Sequence, residues 1–395
     1  MTGRRLHGVP HGRQGNENGS QAELAVHVAQ AFDPARLTQA RRLAELTKRT
    51  IAQQIGVSPA AVGQWEAGVT TPRPDHVRRL AELLDVTPSF LAAGRRYVRL
   101  DVGDAHFRSL RATPAKLREK AIAFTEQVYE LSDALERRVQ LPLVDLPGFA
   151  GGEVQPGGYA GDPVAAAQHL RREWNLGVGP IPHLVRTMER HGLIITFVDF
   201  AGAATKTIDA FSTSHLPRPV VVLTPDRGDD VFRHRFTAAH ELGHLLLHPD
   251  TAPGDLVHER QADAFAAELL TPAASIVPEL PARLDLHALE RLSRAWGVAI
   301  DSLIYRCHEV GRISEATYRR AFQRLAQLRQ VDLFPKEPVR GYPGELPVLL
   351  MQAFAVAEQQ GLTLQELAHD IKMPLSRLRQ LLGDPDHGRP RLTLV

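Results

Sequence analysis

The stretch 240–244 reads HELGH and brings three chemically useful side chains together. On a helix, positions i and i+4 lie on the same face, so His240 and His244 can offer two imidazoles to one Zn²⁺. A carboxylate beside the open coordination position can act as a general base, which is the role predicted for Glu241. The apolar residues around the motif indicate a packed helix: Phe236, Ala239, Leu242 and Leu246.

A second helical segment at 259–270 can complete this site. Glu259 is a candidate third ligand, giving a His₂Glu set with a water molecule in the fourth position. Asp263 lies one turn later on the same face, where its carboxylate can accept the spare ring N–H of a ligating histidine. Glu268 competes with Glu259 as a ligand but is out of phase with it on the helix. His248 would be a third ligand on one straight helix, where the three side chains diverge.

The HELGH motif followed by ERQADAFAAELLTP resembles the signature of the ImmA/IrrE family of zinc-dependent metallo-endopeptidases. This resemblance implies Glu259 as the third zinc ligand and Glu241 as the catalytic residue. The usual family pattern has Asn where this chain has Asp263, and Met where it has Thr271. The expected reaction is therefore metal-assisted hydrolysis of a peptide bond.

In that reaction, zinc lowers the pKa of a bound water toward about 7, and Glu241 passes the water proton to the leaving amine. An oxyanion stabiliser is also required. The candidates by sequence proximity are His234, Arg235 and His258. Manganese can take the same ligand set, so Mn²⁺ is the alternative to Zn²⁺.

Residues 46–68, LTKRTIAQQIGVSPAAVGQWEAG, indicate two short helices joined by a sharp turn. Gly56 suits that turn because glycine tolerates positive φ. Ser58 can cap the second helix, and Pro59 occupies its first position, where no N–H is needed. This is the layout of a helix-turn-helix, whose second helix enters the major groove of DNA. The segment resembles the Cro/repressor-type (XRE) DNA-binding domain.

In that resemblance, bases are contacted from Pro59, Ala60 and Gln64. Gln64 can bind adenine through two hydrogen bonds, whereas the other two offer only apolar contact. Phosphate contacts are expected from Lys48, Arg49 and Ser58. Sequence specificity is then weak or taken from DNA shape, and a protein-interaction module is the alternative. A homodimer is expected because repressor-type domains usually read paired half-sites.

The length and composition of the chain indicate several domains and restrict the cellular compartment that is expected for the protein. The chain has 395 residues, which is too long for one ordinary core, and its net charge of +2 leaves room only for a local DNA-binding surface. Its single cysteine, Cys307, excludes an intrachain disulfide and fits a reducing cytosol as a small buried residue. No apolar run suggests a membrane span or a signal peptide, so a cytoplasmic protein without a membrane partner is expected.

The predicted fold is multidomain: an all-α helix-turn-helix domain, then an α+β zincin-like metallopeptidase domain, then a helical C-terminal extension. The expected boundaries are 1–22 for a disordered N-terminus, 34–94 for the DNA-binding domain, 95–161 for a helical connector and linker, 162–310 for the peptidase, and 311–395 for the C-terminal region.

Within the peptidase region, three β-branched or aromatic runs at 193–200, 208–214 and 220–223 are expected to form antiparallel strands. The Pro217–Pro219 segment is expected at a sheet edge, where an extended peptide could bind by strand addition. Two further helix pairs resemble a helix-turn-helix. The pair at 283–310 is interpreted as structural, and the role of the pair at 362–382 is left open.

Two functions fit the sequence. The first is a DNA-binding transcriptional regulator that carries its own peptidase and cleaves a protein substrate, by family resemblance a repressor. The second is a non-proteolytic transcription factor that uses the metallopeptidase fold to sense a metal or ligand. The intact HELGH motif with Glu259 favours the peptidase, because a sensor has no need of Glu241.

Overall fold

The computed structural model describes residues 23–96, 98–107, 114–150, 153–154, 161–197, 210–224, 230–248, 255–331 and 333–383. The predicted disordered segment 1–22 lies outside these residues. Two compact units are present, one formed by the chain up to Arg99 together with Thr363–Leu378, and the other by Leu100–Leu362 together with the residues from Arg379 on. Compactness thus divides the chain differently from the predicted domains, because part of the C-terminal region groups with the N-terminal helices.

The first unit is entirely helical. Its helices are α1 at 23–30, α2 (Pro34–Leu43), α3 (Lys48–Ile55), α4 (Pro59–Glu66) and α5 (Pro74–Leu83), followed late in the chain by α16 (Leu364–Asp370) and the first half of α17 (Leu375–Leu382). Local signals set several of these boundaries. Asp33, Thr47 and Ser58 each accept a backbone N–H as the N-cap of α2, α3 and α4.

The second unit contains the remaining elements. Its helices are α6 (Ala115–Glu136), α7 (Pro163–Glu173), α8 (Leu184–Arg190), α9 (Val231–Leu247), α10 (Leu256–Leu270), α11 (Ala273–Glu279), α12 (Leu286–Trp296), α13 (Ile300–Glu309), α14 (Glu315–Gln330) and α15 (Leu349–Gln359). Its strands are β1 (His106–Phe107), β2 (Phe149–Ala150), β3 (Glu153–Val154), β4 (Ile194–Phe197), β5 (Ala210–Thr213) and β6 (Val220–Leu223).

Four of the strands form a mixed sheet in the order β1-β5-β6-β4. β5 is antiparallel to β6 and to β1, but β4 runs parallel to β6, with Ile194 beside Val220. The prediction of an antiparallel arrangement is therefore wrong for β4. The reason is that β5 and β6 form a hairpin, and β4 adds to the far side of β6 in the same direction as that strand.

The Pro217–Pro219 segment is also placed differently from its prediction at a sheet edge. It lies in the turn between β5 and β6, and β6 is an interior strand with all four residues buried. The prolines cost no ladder hydrogen bond because they precede the strand. Arg218 in this turn is buried and donates to Glu136 Oε1 over 2.6 Å, so the turn is fixed to the end of α6.

Helix α6, which the sequence suggested as a connector, is buried along most of its length in the second unit. Its apolar side chains pack against α15, and its Glu126 accepts the backbone N–H of Leu100 over 3.1 Å. Buried polar groups of this kind are retained where they have partners. Among the described helices, none is long and apolar enough to cross a lipid bilayer.

Candidate metal centre and DNA-contacting helix

Helix α9 lies at the centre of the second unit and carries the HELGH motif. The Asp230 side chain caps its N-terminus by accepting the N–H groups of Phe232 and Arg233. The helix packs against β5, β6 and α10, and buries both motif histidines. The Nε2 atoms of His240 and His244 are 3.0 Å apart, so the two rings converge on one point.

Gly243 allows α10 to approach α9 closely enough to complete the site. A Cβ atom at this position would lie 2.9 Å from Phe265 Cδ1 and 3.3 Å from Ala262 Cα, closer than ordinary contacts allow. Only a residue without a side chain fits between the two helices. The close approach brings Glu259, in the first turn of α10, next to the two imidazoles.

We expect Gly243→Ala to lower the stability of the second unit by about 1–3 kcal/mol through overpacking. Because relief of the clash moves α10 away from α9, the zinc affinity should also fall, by about tenfold or more. Chelator competition measures the affinity. The matched control is Gly63→Ala in α4, where nothing lies within 4 Å of the added Cβ. Equal zinc affinity in the two variants would contradict the spacing role of Gly243.

The three candidate ligands fit one zinc ion. Glu259 Oε2 lies 3.5 Å from His240 Nε2, and Glu259 Oε1 lies 3.5 Å from His244 Nε2. Around tetrahedral zinc with bonds of about 2.0–2.1 Å, ligand atoms are roughly 3.3 Å from one another. Among the described residues, these three form the one group of His, Cys, Asp or Glu compact enough to hold a metal ion.

The electrostatics of Glu259 suit a metal ligand. Burial alone would raise the pKa of its carboxyl, but hydrogen bonds from His240 and His244 and the charge of these rings outweigh burial and lower the pKa to about 2. The carboxylate is therefore ionised at neutral pH, as metal binding requires.

Asp263 contacts His240 on the side away from Glu259. Its Oδ1 lies 2.8 Å from His240 Nδ1. An ionised carboxylate can only accept a hydrogen bond. In the neutral His240 ring, the form that binds a metal ion, the proton therefore belongs on Nδ1 and the Nε2 lone pair points toward His244 and Glu259. This contact orients the imidazole for a metal ion.

Glu241 is fully buried beside the two histidines, and its partner was not anticipated from sequence. The Ser212 hydroxyl on β5 donates to Glu241 Oε2 over 2.8 Å. This bond links the middle of the sheet to the helix and fixes one carboxylate oxygen. Nothing in the sequence of 208–214 marks Ser212, because the contact depends on the packing of β5 across α9.

The competing candidates lie in other networks. Glu268 accepts from Gln168 Nε2 over 3.0 Å and from the backbone N–H of Ala273 over 3.1 Å, so it joins α7 to the start of α11. His248 Nε2 lies 2.8 Å from Gln261 Oε1, and its ring packs on that of His258 at 4.3 Å. Burial lowers the pKa of His248 to about 4, so the ring is neutral at pH 7.

Two of the candidate oxyanion stabilisers have structural partners. Arg235 forms a buried ion pair with Glu345 and donates to Gly297 O over 2.8 Å. His234 Nε2 lies 2.9 Å from the Glu345 carbonyl oxygen, and burial lowers the pKa of its ring. Both residues thus fasten the 343–345 turn to α9.

In the first unit, α3 and α4 form a helix-turn-helix. Gly56 adopts the left-handed conformation with φ 75°, which the turn requires. The carbonyl oxygen of Ile55, the last residue of α3, accepts a hydrogen bond from Arg79 Nη1 over 3.1 Å. The inner face is buried through Ile51, Ala52, Ile55, Val62 and Trp65.

The predicted base-contacting residues Pro59, Ala60 and Gln64 are all exposed on α4. Of the predicted phosphate contacts, Arg49 is exposed at the start of α3. Lys48 is also exposed, but its Nζ lies 3.1 Å from Glu66 Oε2, so part of its charge is neutralised within the unit. The Ser58 hydroxyl accepts the Ala61 N–H over 3.1 Å and therefore serves the helix cap.

Comparison with known protein families gives a match for each of the two regions described above. Residues 37–91 match the family model described as helix-turn-helix, and residues 188–308 match the M78 peptidase model, described as the IrrE N-terminal-like domain. No curated protein matches the chain. The chain therefore joins a DNA-binding helix-turn-helix domain to a metallopeptidase-type domain. The two matches agree with the resemblance of residues 37–91 to an XRE-type helix-turn-helix and of residues 188–308 to the ImmA/IrrE family.

Proposed function

We propose that this protein is a DNA-binding transcriptional regulator whose second unit is a zinc-dependent endopeptidase that cleaves a repressor or another regulatory protein. The observation that carries the proposal is the convergence of His240, His244 and Glu259 beside the buried carboxylate of Glu241. A second observation supports a regulatory substrate, because the same chain presents an exposed α4 for contact with DNA.

Each residue near the centre has a defined task in this mechanism. His240, His244 and Glu259 would hold the zinc ion, which would supply Lewis-acid chemistry for a peptide carbonyl and for a water molecule whose pKa it would lower to about 7. The Glu241 carboxylate accepts the proton of the attacking water and delivers it to the leaving amine nitrogen. The Ser212 hydroxyl donates to Oε2 of that carboxylate and so fixes the orientation of the Glu241 side chain. Asp263 keeps the His240 proton on Nδ1.

Zinc content tests the ligand set. Purified wild-type protein should contain about one zinc ion per chain, and Glu259→Ala should lose it, because two histidines alone leave the site incomplete. Plasma mass spectrometry after gel filtration measures the metal content. The matched control is Glu268→Gln, which alters the competing carboxylate and should retain zinc, since Glu268 is bonded to Gln168 and Ala273 instead.

Two results would overturn this part of the proposal. One is a wild-type protein that takes up no zinc after dialysis against zinc at neutral pH. The other is zinc retained in Glu259→Ala and lost in Glu268→Gln.

A further inference from the structure

The C-terminal helix pair α16–α17 repeats the α3–α4 pair position by position, with residues 363–382 corresponding to 47–66. Both pairs begin on a capping threonine. Thr47 Oγ1 accepts the Thr50 N–H over 3.0 Å, and Thr363 Oγ1 accepts the Glu366 N–H over 3.1 Å. The residue nine positions after the capping threonine is left-handed in both pairs, Gly56 with φ 75° and Lys372 with φ 55°.

The turns share their hydrogen bonds as well. Val57 N–H donates to Ala52 O over 2.9 Å, and Met373 N–H donates to Ala368 O over 3.0 Å. An arginine from another segment donates to the carbonyl oxygen just before the left-handed residue in both pairs, Arg79 to Ile55 O and Arg95 to Ile371 O. The corresponding inward positions are buried in both: Ile51 and Leu367, Ala52 and Ala368, Ile55 and Ile371, Val62 and Leu378, Trp65 and Leu381.

Two helices joined by a turn need not agree this closely with α3–α4. The pair α12–α13 agrees less. That pair also has a left-handed glycine, Gly297 with φ 66°. However, Ile300, at the position of Pro59, is buried, and the next residue, Asp301, pairs with Arg329. The start of α13 is thus used for packing. The corresponding start of α17 keeps Ser376 exposed.

Helix α17 carries side-chain types that can bind the edges of DNA bases. The base-contacting positions of α4 correspond to Leu375, Ser376 and Gln380, and Arg379 stands where α4 has Gly63. Arginine binds guanine through two hydrogen bonds, glutamine binds adenine in the same way, and serine can bond to either. Arg379 and Gln380 are half-buried. By contrast, α4 offers Pro59, Ala60 and only one polar reader, Gln64.

All of α16 and the first half of α17 group with the DNA-binding unit, whereas the second half of α17, from Arg379, groups with the second unit. Residues 363–378 group with the chain up to Arg99, and the Thr87 hydroxyl donates to Lys372 O over 2.9 Å. We therefore propose that α16–α17 is a second helix-turn-helix and that α17 contacts bases of double-stranded DNA. This inference goes beyond the proposed function and does not depend on peptidase activity.

Site-directed cross-linking of the full-length chain tests this proposal. Cys307 is buried, so a photoactivatable thiol reagent reacts only with an introduced cysteine. The variants are Ser376→Cys, Ala60→Cys as the positive control on α4, and Glu358→Cys on the exposed side of α15 as the negative control. The probe is a radiolabelled duplex that the wild-type protein selects from a random pool. We expect DNA cross-links from Ser376→Cys and Ala60→Cys, and none from Glu358→Cys.

Binding affinity gives a second measurement. Arg379→Ala should weaken binding to the selected duplex roughly 5- to 150-fold, the loss expected for one bidentate base contact. Arg319→Ala, which removes the same charge from an exposed position on α14, should change it little.

The proposal is overturned if Ala60→Cys cross-links to DNA while Ser376→Cys does not, or if Ser376→Cys cross-links to a second copy of the protein instead. It is also overturned if Arg379→Ala binds as tightly as Arg319→Ala. Cross-links from neither Ser376→Cys nor Ala60→Cys would reject DNA contact by both pairs, and zinc binding would be unaffected by that result.

Discussion

Glu241→Gln should leave the zinc content unchanged and lower the rate of peptide cleavage by about two to four orders of magnitude, the usual contribution of a general base. Glutamine has almost the same shape as glutamate, and its amide oxygen can still accept the Ser212 hydroxyl that lies 2.8 Å from Glu241 Oε2. The packing around this fully buried side chain is therefore kept. The amide cannot take up a proton near neutral pH, so only the chemical step is affected.

The first measurement compares the new protein N-termini that zinc-loaded wild-type and Glu241→Gln protein produce in an extract of the source cells. The second measures single-turnover cleavage of the substrate identified in this way. Glu290→Gln is a matched control, because Glu290 forms a surface ion pair with Arg294 on α12. Cleavage by Glu241→Gln at the wild-type rate would contradict the role of Glu241. New N-termini from neither protein, despite bound zinc, would favour the alternative of a non-proteolytic sensor.

The local parts of the centre could be predicted because each depends on residues close together in sequence. His240 and His244 share a helix face whatever surrounds them, and α9 and α10 have strong helical patterns. The sheet shows the limit of this reasoning. The bounds of β6, Val220–Leu223, agree with the predicted run, yet the parallel pairing of β4 with β6 depends on which strand the β5–β6 hairpin leaves open. Strand β1 has only two residues and gives no sequence pattern at all.

Contacts between segments that are distant in sequence could not be predicted, because no local pattern indicates them. The segment around Glu345 is rich in proline and glycine and reads only as a turn. In the structure, Glu345 is buried against Arg235, 110 positions earlier in the chain. Arg235 stands five residues before His240, and this proximity in sequence makes it a candidate oxyanion stabiliser. Sequence proximity alone does not reveal that the side chain points to a structural partner.

This buried ion pair gives the second large effect. We expect Glu345→Ala to lower the free energy of unfolding of the second unit by about 3–5 kcal/mol, because it leaves the charge of Arg235 buried without its carboxylate partner. The substitution also removes the acceptor of two backbone N–H groups at the start of α8, those of Leu184 at 2.9 Å and Val185 at 3.1 Å. Each unsatisfied buried donor adds to the cost.

Urea unfolding followed by tryptophan fluorescence measures the effect, in a Trp65→Phe background so that the signal comes only from Trp174 and Trp296 of the second unit. Glu315→Ala is the control, because its ion pair with Arg319 is exposed and such pairs contribute about 0–1 kcal/mol. The double variant Arg235→Met with Glu345→Leu should recover part of the loss, because it leaves no buried charge. If Glu345→Ala unfolds at the same urea concentration as Glu315→Ala, the pair does not hold the 343–345 turn on α9. A loss of stability in Glu345→Ala that the double variant partly recovers would mean that a residue 110 positions after Arg235 stabilises α9, the helix that carries both metal-binding histidines.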